Sequence, residues 1–243
     1  MQDSYATPPI LFEDNHLLVA VKAPGIPSQS GRTAIPDMLE LLKRDLVIRY
    51  KKPGDAYLGL VHRLDQPVSG LMVFAKTSKA ASRLSQAFRS RDVERQYLAI
   101  VRGLPDSEAG RMQDYLSRKE IDGRVRILSD GEGYQAELTW RLLSRDRGRG
   151  EALLLIDLIT GRRHQIRAQL AGHGMPLLGD RRYGLMDDRD RQVPTVALHA
   201  CVLSFPHPVG GKLMTFRLGP AINPSFSEDD LRIFESFNHQ LSD

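Results

Sequence analysis

The sequence predicts an α+β domain built on a mixed, mainly antiparallel sheet. Three observations lead there. Short apolar runs of strand length recur along most of the 243 residues, only a few segments carry helical spacing, and the two kinds do not alternate regularly enough for βαβ winding. Hydrophobic residues make up 41% and charged residues 26%, values of a folded globular chain long enough to bury its own core.

The elements follow in order. Strands are expected at 10–13 and 17–22, split by the turn pair Asp14-Asn15 and followed by the loop Ala23-Pro24-Gly25-Ile26-Pro27. A helix then begins at Pro36 and buries Met38, Leu41, Leu42 and Leu46. Strands at 58–61 and 71–76 flank a polar loop. Ser78 is the expected N-cap of a helix to about Arg91, with Ala81, Leu84 and Phe88 on one face. A strand at 95–101 ends at Gly103, and 115–145 reads as several strands with turns at Asp122-Gly123 and Asp130-Gly131. The basic run Arg145 to Gly150 reads as a solvated hairpin loop. An apolar strand at 151–160 passes through Gly161 into a helix that stops near Gly172 to Gly174. Strands at 196–205 and 213–218 precede a tail helix opened by Ser227 and Asp230, a capping box with aspartate in place of glutamate. The organisation expected is a tail at 1–9, one domain at 10–220 and a C-terminal helix at 221–243.

The net charge of +4 and pI near 9.3, carried mostly by arginine, permit a nucleic-acid partner without requiring one. One cysteine, Cys201, excludes an internal disulfide and fits a reducing compartment; its apolar strand suits a buried, inert thiol. The chain start lacks a signal-peptide pattern and no apolar run reaches bilayer length, so a cytoplasmic protein without membrane contact is expected. No cysteine cluster, His-Glu-x-x-His helix or phosphate-cradling glycine motif is present, and neither a metal nor a cofactor is expected.

The segment His62-Arg63-Leu64-Asp65-Gln66-Pro67-Val68-Ser69-Gly70 places an aspartate at a strand end, in a loop tightened by Pro67 and Gly70. On these residues by themselves, an ion pair between Arg63 and Asp65 is the better reading. Two further segments change that: Arg95-Gln96-Tyr97-Leu98-Ala99-Ile100-Val101-Arg102-Gly103, and Gly161-Arg162-Arg163-His164-Gln165-Ile166-Arg167-Ala168-Gln169-Leu170. With Gly172 to Asp180, Tyr183-Gly184, Leu198-His199-Ala200 and Phe205 to Pro208, they resemble the RluA-type branch of the RNA pseudouridine synthases, in order, from about Ile10 to Leu218. Val68 and Arg163 stand where that family usually has threonine, and Ala168-Gln169-Leu170 where it has Val-His-Leu.

The resemblance implies the pseudouridine synthase fold, a sheet with flanking helices and loops around a central cleft, and conversion of uridine to pseudouridine in structured RNA. Asp65 is then the essential carboxylate, either a nucleophile toward the sugar or a base forming a glycal. Tyr97 stacks on the uracil and is a candidate base at C5. Arg167 supplies the cation that keeps Asp65 ionised in a dry pocket. Arg63 enters the space left by the extracted base or contacts nearby backbone, and Arg163 adds a phosphate contact. His62, His164 and Gln165 are substrate-side residues with supporting roles, and Asp180 is a turn residue or the partner of a site arginine. The expected partner is an rRNA or tRNA stem-loop, bound by a monomer. About ten residues precede the first strand, so a stand-alone catalytic domain without the S4-type module of many relatives is expected. An RNA-gripping protein without chemistry is disfavoured by the joint presence of Asp65, Tyr97 and Arg167. A glycoside hydrolase would need a second carboxylate, for which only Asp92 and Glu94 in a charged run are available.

Overall fold

The structure, a computed structural model, describes residues 6–29, 35–129 and 131–240. The first five residues of the expected tail, and Asp130 of the Asp130-Gly131 pair, lie outside them. The chain divides into two compact units, one running up to Val93 and resuming at Leu203–Arg217, the other comprising Glu94–Val202 and the segment from Leu218 on.

In the first unit, β1 (Ile10–Glu13) and β2 (Leu17–Lys22) form an antiparallel hairpin. Its turn is held by Asp14, whose carboxylate accepts from the backbone N–H groups of His16 and Leu17, the use expected of an aspartate there. All six β2 residues are buried, Lys22 included. Helix α1 (Met38–Arg49) buries the four apolar residues predicted, but its N-cap is Asp37, which accepts from the Glu40 N–H at 2.8 Å. Pro36 lies one residue before the cap. A carboxylate that can bond a free N–H decides where the helix starts.

The strand expected at 58–61 shrinks to β3 (Gly59–Leu60), and β4 (Ser69–Ala75) begins two residues earlier than predicted because Ser69 and Gly70 extend its pairing with β2, Lys22 opposite Gly70. Helix α2 (Ser78–Ser90) is capped by Thr77 rather than Ser78: Thr77 is extended and its hydroxyl accepts from Ala80 N–H. Its fully buried face is Ala80, Leu84 and Ala87, with Phe88 half-buried.

The second unit is built on an antiparallel sheet whose strand order is not that of the chain. Strands β5 (Glu94–Arg102), β6 (Ala109–Leu116), β7 (Ile127–Leu128), β8 (Tyr134–Asp146) and β9 (Glu151–Leu158) are ordered β5-β9-β8-β6-β7, all antiparallel. β6 starts six residues before the predicted strand region, because Ala-Gly-Arg-Met-Gln-Asp has too little apolar alternation to read as a strand until β8 pairs with it. The Arg145 to Gly150 loop closes the β8–β9 hairpin as expected, with Arg145 paired to Glu108.

Helix α3 (Gln165–Gly172) starts later than Gly161, since 161–164 form an irregular turn and His164 caps it in the left-handed region at φ 51°. The short helix α4 (Asp188–Gln192) was not anticipated; Asp187 caps it by accepting from Asp190 N–H. Strand β10 (Leu198–Pro206) carries the chain out of this unit, and β11 (Leu213–Arg217) lies in the first.

Helix α5 (Glu228–Gln240) opens with the capping box read from the sequence: Asp230 accepts from Ser227 N–H at 2.8 Å and Ser227 Oγ accepts from Asp230 N–H at 3.3 Å. Phe234 of α5 joins Leu98, Ile100, Leu155, Cys201 and Phe226 in the core of the second unit. Burying one such aromatic contributes about 1.5–3 kcal/mol. Antiparallel sheets with a few inserted helices match the predicted α+β class.

Candidate active site

The Asp65 loop belongs to the first unit and is fastened through its backbone. Lys22, at the end of β2 with no solvent exposure, donates from Nζ to the carbonyls of Val68 (2.6 Å), Gln66 (2.8 Å) and Ala23 (3.1 Å). Ser28 grips Leu64 from the other side, its hydroxyl donating to Leu64 O at 2.6 Å and accepting from Leu64 N–H at 3.0 Å. Gly25 N–H donates to Gln66 O, the Gln66 amide donates back to Gly25 O, and Val68 N–H closes the turn onto Asp65 O. Asp65 therefore stands half-buried on a loop whose neighbours on both sides are pinned.

His62 is structural in this unit. Its Nε2 accepts from Val73 N–H at 3.0 Å and its ring stacks on Phe88 of α2 at 4.7 Å. Arg63 is exposed and forms no ion pair among the described residues, so the Arg63–Asp65 surface pair suggested by the local sequence is absent. Lys22 is the residue that sequence reasoning overlooked. Its signal was a lysine ending the otherwise apolar run Leu-Leu-Val-Ala-Val just ahead of Ala-Pro-Gly. Burial pushes its ammonium down to about 7 while nearby Asp65 draws it back up. Three carbonyl acceptors match the three donors of an ammonium.

Tyr97, Arg167 and the remaining predicted residues belong to the second unit. Tyr97 is buried in the middle of β5, opposite Ile156 of β9. Arg167, on α3, is buried and makes a two-pronged pair with Asp180: Nε to Oδ2 and Nη2 to Oδ1, both 2.7 Å. Asp180 also accepts from the N–H groups of Arg182 and Tyr183, and so both shapes a turn and holds Arg167. Burial alone would raise its carboxyl, but Arg167 and the two N–H groups together hold it below the ordinary carboxylate value. The Arg167 guanidinium lies 5.1 Å from the centre of the Tyr183 ring.

Tyr183, which the sequence reading noted only as part of a motif, ties this turn together. Its hydroxyl accepts from Val125 N–H at 2.8 Å and meets His164 Nδ1 at 3.0 Å. Gln165 is fully engaged as a strut, donating to Glu137 O and accepting from Thr160 Oγ1 and Arg162 N–H. His164 and Gln165 are thus both engaged at the entry to α3. A Cβ at Gly161 would come within 2.6 Å of Arg95 Nη1, so a larger residue in this turn would have to displace the tip of the Arg95 side chain. Arg163 is 64% exposed, available to solvent even while paired with Glu120 at 2.8 Å; Glu120 also holds Arg182. His199 is buried, its pKa pushed down to about 4 by burial, and Cys201 is buried with its thiol pushed up, so neither is placed for chemistry.

Residues 16–172 match the model of the RNA pseudouridylate synthase family, a stretch that contains Asp65, Tyr97 and Arg167. The chain belongs to this family. Over 216 residues it is 34% identical to ribosomal large subunit pseudouridine synthase D of Zymomonas mobilis, covering 85% of this chain and 67% of that protein. Over 211 residues it is 31% identical to ribosomal large subunit pseudouridine synthase C of Buchnera aphidicola, covering 84% and 65%. The chain thus spans about two thirds of the length of the curated relatives it matches. Two human structures share the pseudouridine synthase fold: RNA pseudouridylate synthase domain containing 4, with TM-score 0.74 and 23% identity over 93% of both chains, and domain containing 1, with TM-score 0.73 and 21% identity over 98% of both. No helix among the described residues is long and apolar enough to cross a membrane.

Proposed function

We propose that the protein isomerises specific uridines of large-subunit ribosomal RNA to pseudouridine, with residues 10–220 acting as one catalytic domain. The observation that carries this reading is the family match across residues 16–172, which includes all three motif residues expected to do the chemistry. The ribosomal substrate follows the names of the two bacterial relatives.

In the reaction the N1–C1′ bond of the uridine breaks, the uracil turns, and a C5–C1′ bond forms; C5 loses a proton and N1 gains one, so composition is unchanged. Asp65 acts on the ribose as nucleophile at C1′ or as base at C2′. Either role requires an ionised and rigidly held carboxylate, and the backbone fastening of its loop supports that requirement. Arg167, oriented by Asp180, serves as the counter-charge to Asp65, and Tyr97 packs against the uracil. Arg63, exposed on the same loop as Asp65, fills the space vacated when the uridine is flipped from a stem-loop. The protein works as a cytoplasmic monomer without metal or cofactor.

The test is a pseudouridine map of total RNA from cells with and without the protein, by carbodiimide-based primer extension. Disappearance of one or a few ribosomal sites is expected, restored by the wild-type gene and not by Asp65→Asn. Loss of sites only in transfer RNA would reassign the substrate, and restoration by Asp65→Asn would remove Asp65 from the mechanism.

A further inference from the structure

The second unit carries a cationic and aromatic surface that the chemistry above leaves unused. Tyr134, the first residue of β8, is 48% exposed, and two guanidiniums approach its ring, Arg162 at 5.1 Å and Arg118 at 5.6 Å from the centroid. The arrangement is built in. Arg162 is fixed by donation from Nε to Gln135 O at 3.0 Å. Gly133 sets the start of β8, because a Cβ there would collide with the Leu116 backbone. Lys119 and Arg124 are exposed on the connection between β6 and β7. Among the described residues, no carboxylate pairs with Arg118, Lys119, Arg124 or Arg162; the two carboxylates on the same connection are turned to other arginines, Glu120 to Arg163 and Arg182, and Asp122 to Arg126 at 3.8 Å.

Two unneutralised guanidiniums gathered on one exposed ring repel each other, and the fold gains little by keeping them together. The same grouping is complementary to a polyanion whose flat bases can add to a stack of guanidinium and phenol planes. The surface is also joined to the candidate site within this unit: Arg162 opens the turn that leads into α3, and the β6–β7 connection hangs from Tyr183 through Val125 N–H, the ring that faces Arg167.

We propose that Tyr134, Arg118 and Arg162 form a second RNA-holding platform that grips nucleotides flanking the target uridine, the arginines on phosphates and the stacked planes against an unpaired base. This rests on the RNA-modifying reading above. It assigns binding to residues given no step of the chemistry, Tyr134 and Arg118 outside the motifs and Arg162 at the start of the third, and predicts an effect on affinity and not on the chemical step.

The test uses the full chain with deproteinised large-subunit rRNA in two measurements: filter binding across a sodium chloride series, and pseudouridine formation on the same RNA. Arg118→Ala/Arg162→Ala is expected to weaken binding at least about 10-fold at low salt, and to flatten the log–log salt dependence by about 1.4 for two lost phosphate contacts. KM should rise while kcat stays within about twofold. Tyr134→Ala should weaken binding by about 5-fold or more with the salt slope nearly unchanged, and Tyr134→Phe should restore it, as stacking requires. The charge-matched control Arg191→Ala/Arg232→Ala, which removes two exposed arginines elsewhere on the unit, should bind as wild type. Equal weakening in the control and the platform variant would overturn the proposal, as would wild-type binding by the platform variant or a fall in kcat at constant KM. Failure of the underlying reading is seen separately: wild-type protein would then form no pseudouridine on any RNA, while the binding slopes would still judge the platform.

Discussion

The Asp65 loop and the Arg167 turn are held by opposite means. The loop is pinned almost entirely through its own backbone, by Lys22, Ser28 and Gly25 gripping carbonyls and N–H groups. The turn is pinned through charged and polar side chains, by the Arg167–Asp180 pair, Gln165 and the Tyr183 hydroxyl. A loop fastened mostly through its backbone, with His62 and Gln66 adding side-chain bonds, can hold a reactive carboxylate in place without relying on that carboxylate for the fastening. A turn held by a buried ion pair makes its arginine both structural and electrostatic, and changes there should damage fold and function together.

The largest expected effect separates the two regions. Asp65→Asn should lower pseudouridine formation by about 10⁴-fold or more while urea unfolding stays near wild type; a large loss of stability would show that the Asp65 side chain is a strut after all. Asp180→Ala should do the reverse in proportion, costing about 3–5 kcal/mol of stability because it removes both oxygens of the two-pronged pair from a buried guanidinium. A urea midpoint close to wild type for that variant would mean that the Arg167–Asp180 pair does not hold the turn.

Within the loop, Ser28→Ala leaves both Leu64 backbone groups unpaired and should cost about 1–3 kcal/mol by the same measurement. Lys22→Met should lower kcat by about 10-fold or more with little change in KM, since a displaced Asp65 loses reach and not RNA affinity; a change confined to KM would remove Lys22 as a positioning residue.

The last effect is one of pH, small over any single pH unit. The folded Lys22 releases its proton near 7 and the unfolded side chain near its ordinary 10.5, so between these values the unfolded chain holds the extra proton. Folding stability should therefore rise with pH across that window, by at most about 1.4 kcal/mol per pH unit, and fall as pH drops toward 7. The wild-type curve measured against Lys22→Met should show that rise. Parallel curves would mean that the buried ammonium keeps its proton throughout.

Much of this was legible from the chain. Element types followed from periodicity, and caps and turns such as Ser227–Asp230 and Asp14 from side chains that bond their own backbone within three residues. Where local signals competed, the structure chose: Thr77 over Ser78 and Asp37 over Pro36 as caps, since a helix starts where an oxygen can reach an open N–H. The start of β6 and the short α4 escaped because their residues make sense only beside β8 and under the Asp187 cap.

By itself, then, the sequence determined the α+β class, most of the elements, the motifs that identify the family and the carboxylate on which a mechanism is staked. These depend on short-range pattern and residue chemistry, which the linear order contains. Only the tertiary structure decided the partners: Lys22 beneath a loop 44 residues away, Asp180 as the clamp of Arg167, Tyr183 reaching Val125 across 58 residues, and two arginines gathered on Tyr134. Such pairings come from strand register and chain reversal, which bring together groups whose separation along the chain carries no sign of their contact.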